Sequence, residues 1–209
     1  MKTEIIQGLL NSYTYSEYRK SVADLLVQGK SSGNDQSEDH LYYSQLNQTR
    51  MNRLDKTLQI PEDILEKLKN IKNEYTWLVL AEGWCGDVAQ IAPILYKISS
   101  VTDKINLRFV FRDANDPLMN CFLTNDARAI PKLIILDNKN QELKATWGPR
   151  PEGATNLIKN YKAQHGVVDQ TAKKELQLWY LHDKGKSTME ELISIMTHIE
   201  ELVNNKIYN

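Results

Sequence analysis

Apolar positions along the chain change their period twice. Up to about residue 73 they recur at helical spacing. Thr14-Tyr15-Ser16-Glu17 has the form of a capping box, and a helical stripe through Val22, Leu25 and Leu26 runs to a stop at Gly29. A polar loop follows, and Ser37 is placed to cap a helix carrying Leu41, Tyr42, Leu46 and Leu54. Pro61 opens another, with Ile64, Leu65, Leu68 and Ile71 on one face. From 74 to 164 the pattern is different. Residues 76–81 form a short apolar run suited to a strand buried on both faces, followed by a helix from Cys85 to about Ser99. Strands are predicted over 106–111, 132–136 and 142–147, a short helix over 117–124 and a closing helix over 152–162. Asp137-Asn138-Lys139-Asn140 provides the turn of a hairpin. From 165 to 209 two more helices are predicted. One contains Leu176, Leu178, Trp179 and Leu181. The other is capped by Ser187 and shows Met189, Leu192, Ile193, Met196, Ile199 and Val203 on one face.

The expected organisation is therefore a helical extension over 1–73, an α/β core over 74–164 and a second helical extension over 165–209. The order β-α-β-α-β-β-α describes a mixed central sheet covered by helices. The amphipathic faces of the extensions must be buried against the sheet, against each other or in a homodimer, and the pattern leaves all three open.

Composition narrows the functional classes. The 209 residues are 41% hydrophobic and 25% charged, with a net charge of −1, so no global charge draws the chain to nucleic acid or to an anionic membrane. The Arg50/Arg53/Lys56 cluster reads as a solvated helix face. The first ten residues lack the unbroken apolar core of a signal peptide, and no stretch is long enough to span a bilayer. A soluble cytoplasmic protein is the default expectation. His40, His165, His182 and His198 are scattered and the two cysteines lie far apart in sequence, so neither a metal nor another cofactor is expected.

Cys85 and Cys121 are the candidate thiols. Cys85 follows an apolar strand and starts a helix, where unpaired backbone N–H groups and the helix dipole favour thiolate. On position alone, a buried structural cysteine is an equal alternative. Asp87 stands close enough to oppose ionisation of the thiol, or to cap the helix.

Several segments together bear a resemblance. Ala81-Glu82-Gly83-Trp84-Cys85-Gly86 is similar to the active-site approach of thioredoxins. Ile91-Ala92-Pro93-Ile94-Leu95 resembles the proline-bearing part of their active-site helix, and Arg128-Ala129-Ile130-Pro131 resembles their cis-proline segment. Gly148 occupies the place of a glycine beside the site. The leader Leu46-Asn47-Gln48-Thr49-Arg50-Met51-Asn52-Arg53 resembles that of a bacterial thioredoxin-like group carrying Trp-Cys-Gly-Asp-Cys. The resemblance implies a thioredoxin-like fold. It also implies thiol-disulfide exchange at Cys85 with Asp87 beside it, and a substrate surface of Trp84, Gly86, Ile130, Pro131 and Gly148. The implied partner is a protein or small-molecule thiol or disulfide.

The sequence departs from that pattern at two points. Val88 replaces the second cysteine, and Val79 stands where a buried acid is usual. A mixed disulfide on Cys85 therefore has no neighbouring thiol at 88 to resolve it. Two readings follow: a monothiol exchanger, or a redox-inactive binding module. A peroxidase would need an arginine beside the thiol, and the sequence names none. Cys121 is expected on the flank of the core, away from Cys85.

Overall fold

The computed structural model describes the backbone of residues 1–207 and side chains as far as residue 203. The amino-terminal helices are α1 (Lys2–Leu10), α2 (Tyr15–Val27), α3 (Glu38–Thr57) and α4 (Glu62–Leu68). The capping box at Thr14 is complete, with its hydroxyl accepting from the Glu17 N–H and the Glu17 carboxylate accepting from the Thr14 N–H. Ser37 caps α3 by accepting from the His40 N–H, and Gly29 turns the chain after α2 with φ +68°. The helix α1 lies ahead of the first helix that the pattern predicts. It packs on the sheet edge, where Tyr13, just beyond it, exchanges two backbone hydrogen bonds of 2.7 Å with Phe109. That bridge covers part of an edge that would otherwise be open.

The centre runs β1 (Tyr75–Ala81), α5 (Gly86–Ser99), β2 (Ile105–Phe111), α6 (Asp116–Asn120), β3 (Lys132–Asp137), β4 (Leu143–Trp147) and α7 (Glu152–His165). The sheet order is β2-β1-β3-β4. β1 lies parallel to β2 and antiparallel to β3, and β3 pairs antiparallel with β4. This is the α/β mixed sheet flanked by helices that the periodicity predicts. Central β1 is buried along its whole length, which explains its unbroken apolar run. The helix α6 is shorter than expected. Asn125 and Asp126 take positive φ, and Thr124 and Ala127 pair across them as a tight turn.

The chain closes with α8 (Gln170–Asp183) and α9 (Lys186–Ile207). Ser187 is not the cap of α9 but lies within its first turn. The Asp183 carboxylate accepts from the Ser187 N–H across the left-handed joint at Lys184 and Gly185. Met189, Leu192, Ile193, Met196 and Ile199 are buried in the same core as β1, α5 and the amino-terminal helices. Among the described residues no helix is long and apolar enough to cross a membrane.

Candidate functional site

The turn between β1 and α5 is held from both sides by the amino-terminal extension. The Gly83 N–H donates to Ser32 Oγ at 2.8 Å, and the Gly83 carbonyl accepts from Asn47 Nδ2 at 2.9 Å. Asn47 is fully buried on α3, and its Oδ1 accepts from Arg50 Nη1 at 2.8 Å. The Asn47 and Arg50 of the leader segment are thus the side chains that support the cysteine loop. Trp84 is half-buried between His40, stacked at 4.4 Å, and the Arg112 guanidinium, 4.9 Å from the ring centre.

Cys85 is the N-cap residue of α5 and is only 8% exposed. Its thiol donates to the Ile130 carbonyl at 3.4 Å. The thiol is pushed up to about 12, first by burial and next by the Asp87 carboxylate. Backbone N–H groups of Asp87 and Val88 act the other way, as does the charge of Arg150. The helix-terminus effect is therefore present but outweighed, and the expected acidic thiol is replaced by a resting, protonated one. Val88, at the place of a resolving cysteine, is 1% exposed and packed in the core.

Asp87 does not cap the helix. It is buried, and it turns away from the backbone towards the carboxy-terminal half. Oδ2 pairs with Arg150 Nη2 at 2.6 Å, and Oδ1 accepts from Tyr180 Oη at 2.9 Å. A buried carboxylate needs such partners, and these come from the start of α7 and the end of α8. Burial, with Asp87 second, holds the Tyr180 hydroxyl well above its usual range.

The Ile130–Pro131 and Gly148–Pro149 peptides are both cis. Ile130 and Pro131 are buried, and the Ile130 carbonyl faces the Cys85 thiol. Gly148 has φ +109°, and a Cβ there would lie 2.3 Å from the Pro131 carbonyl oxygen, so only glycine fits. Cys85, Trp84, Gly86 and Asp87 line a cleft of about 920 Å³, whereas Ile130, Pro131 and Gly148 lie outside its lining. Its walls come from the extensions: Tyr43 and Arg50 on α3, Lys173 and Gln177 on α8. Tyr43 Oη donates to Gln170 at 3.2 Å, and Gln177 accepts from Gln90 at 2.8 Å, tying α8 to α3 and α5.

Several residues of the site are not marked as such in the sequence. Arg50 is half-buried, while Arg53 and Lys56 are exposed, so the cluster is not one solvated face. Helical spacing from Asn47 to Arg50 was the available signal. Arg150 is an arginine acting on the thiol, but nothing in the sequence joins it to Cys85. Glu82 is fully buried, its Oε1 accepting from the Asp113 N–H at 3.0 Å, and burial raises its carboxyl. It is a buried acid near the loop despite Val79. Cys121 is exposed at the end of α6, and both cysteines are free.

A family model described as Thioredoxin matches residues 33–162. No curated protein matches the chain. Among solved structures, a protein of unknown function, PA1234, from Pseudomonas aeruginosa superposes with TM-score 0.57 at 18% identity, covering 84% of this chain and 96% of that one. An HIV epitope-scaffold superposes with TM-score 0.55 at 18% identity, over 84% of this chain and 97% of its own. At that identity the likeness concerns the fold.

Proposed function

The chain belongs to the thioredoxin family, and from that premise we propose that it performs monothiol thiol-disulfide exchange through Cys85. The observation that carries this is the placement of the Cys85 sulfur: at the N-cap of α5, against the carbonyl that precedes cis-Pro131, on the floor of a cleft. After loss of its proton to water, Cys85 attacks one sulfur of a disulfide RS–SR. The Cys85–SR bond forms as the S–S bond breaks, and the leaving thiolate takes up a proton as RSH. With Val88 in the core, a second low-mass thiol from solution must attack the Cys85–SR bond, releasing a disulfide and restoring the Cys85 thiol. A reducing cytoplasm supplies such a thiol.

A Cys121→Ser chain leaves Cys85 as the sole cysteine. Incubated with glutathione disulfide at pH 8.5, it should gain one glutathionyl group by intact mass and lose it to excess reduced glutathione. A chain that stays unmodified after prolonged incubation, yet is modified once unfolded in urea, would overturn exchange. The burial and protonation of Cys85 favour a second reading, a binding module whose cysteine is structural. That reading expects Cys85→Ser to keep ligand or partner binding intact.

A further inference from the structure

We infer that the cleft over Cys85 selects small disulfides and thiols that carry carboxylates, with Arg50 as the residue that receives the carboxylate. This rests on the exchange reading and specifies its substrate.

The cleft disfavours an extended protein segment. Ile130 is 6% exposed, its carbonyl is already engaged by the Cys85 thiol, and β3 is paired on both edges, by β1 and by β4. β3 is closed from Lys132 onward, and at Ile130, just ahead of it, the carbonyl is taken by the thiol, so an added strand would lack the acceptor of the usual pair of backbone hydrogen bonds there. The cleft volume of about 920 Å³ suits a small molecule, within the usual range of roughly 300–1,000 Å³.

Its charge then decides the ligand. A Cβ on Gly86, next to the nucleophile, would lie 3.6 Å from Arg50 Nη1, so this guanidinium stands at the floor of the cleft. Arg50 is half-buried, bonded to the neutral amide of Asn47, and makes no ion pair among the described residues. A desolvated guanidinium without a carboxylate is unfavourable in an unliganded protein, and a bound carboxylate relieves it. Burial lowers the Arg50 pKa, the direction an unpaired cation takes.

Lys173 and Lys174, on the facing wall, add positive charge and make no ion pair among the described residues. The cleft also holds three carboxylates. Asp87 is neutralised by Arg150. Asp35 accepts from the Ser37 N–H at 2.9 Å and lies 3.6 Å from His40 Nδ1. Asp39 is in the first turn of α3, eleven residues before Arg50 and so about 16 Å away along the axis. None cancels Arg50. The Tyr43 ring, with Lys173 Nζ 5.3 Å from its centre, gives the body of the ligand an aromatic surface.

The test uses the full Cys121→Ser chain and three small disulfides of similar size: dithiodipropionate (anionic), hydroxyethyl disulfide (neutral) and cystamine (cationic). The readout is the rate of adduct formation on Cys85 by intact mass. Expected is the order anionic, neutral, cationic, with about tenfold between the first two at low salt, equivalent to about 1.4 kcal/mol, shrinking as salt is raised. Arg50→Gln should collapse the anionic-to-neutral ratio, and Arg50→Lys should keep part of it. Equal rates, or cystamine fastest, would overturn the carboxylate selectivity while leaving exchange standing. So would a ratio unmoved in a folded Arg50→Gln chain. No adduct with any of the three overturns exchange and the selectivity with it.

Discussion

At Cys85 the helix terminus and the packing around it pull in opposite directions, and the packing wins. With the thiol pushed up to about 12 by burial and by Asp87, the thiolate is a minor species near neutrality. Alkylation of Cys85 in the folded Cys121→Ser chain should therefore be slow near neutrality and rise about tenfold per pH unit towards 12. The urea-unfolded chain should level off near the ordinary value of about 8.5. The same shift stabilises the fold while the thiol is protonated. That contribution is complete below the unfolded pKa and is lost as pH rises through about 12, so alkaline stability should improve in Cys85→Ser relative to the parent. Asp87→Asn removes the repelling carboxylate and should speed alkylation severalfold. Arg150→Gln, which leaves that carboxylate unopposed, should slow it and cost about 2 kcal/mol of stability, less than a fully buried pair because Arg150 is partly exposed. Gly148→Ala should cost about 2 kcal/mol or more in urea unfolding, since its Cβ would meet the Pro131 carbonyl at positive φ.

Among the elements, α3 carries most of the functional consequence. Its cap, its length and its apolar stripe are local matters, and Ser37 and the residues that follow state them openly. What α3 does is not local: Asn47 supports the Gly83 carbonyl, Arg50 enters the cleft and His40 stacks on Trp84. The helix α2 offers the cleaner measurement. Thr14→Ala should cost about 1 kcal/mol by thermal or chemical denaturation, through loss of the capping box, without changing chemistry at Cys85. Two elements resisted the sequence. The helix α1 carries Ile5, Ile6, Leu9 and Leu10 at helical spacing, but it spans only nine residues and has no side-chain cap, so neither a capping motif nor a long stripe marks its bounds. The start of α9 carried a misleading one, because Ser187-Thr188-Met189-Glu190 has capping-box spacing although Asp183 is the group that accepts from Ser187.

For the whole molecule, the extensions and the sheet share one hydrophobic core. Tyr18 and Val22 from α2, Ile64 from α4 and Met196 from α9 belong to the same buried cluster as Val79 and Ile91. Unfolding followed by tryptophan fluorescence and by far-UV circular dichroism should coincide in a single transition. Met196→Ala, far from Cys85 in sequence, should lower stability by about 2–5 kcal/mol, and deletion of residues 186 onward should leave the rest unable to fold cooperatively. Two separate transitions would show instead that the extensions fold apart from the core.

By itself the sequence determined the strands, the helix that begins after Cys85, the hairpin at Asp137 and the absence of a thiol at 88. Each is written in a run of neighbouring residues: an apolar stretch, a turn composition or a cap. Only the tertiary structure decided how the cysteine is poised. Burial of the thiol, the turn of Asp87 towards Arg150 and Tyr180, and the approach of Arg50 to Gly86 all join residues far apart in the chain. Desolvation and Coulomb interaction depend on distance in space, and no local pattern encodes them.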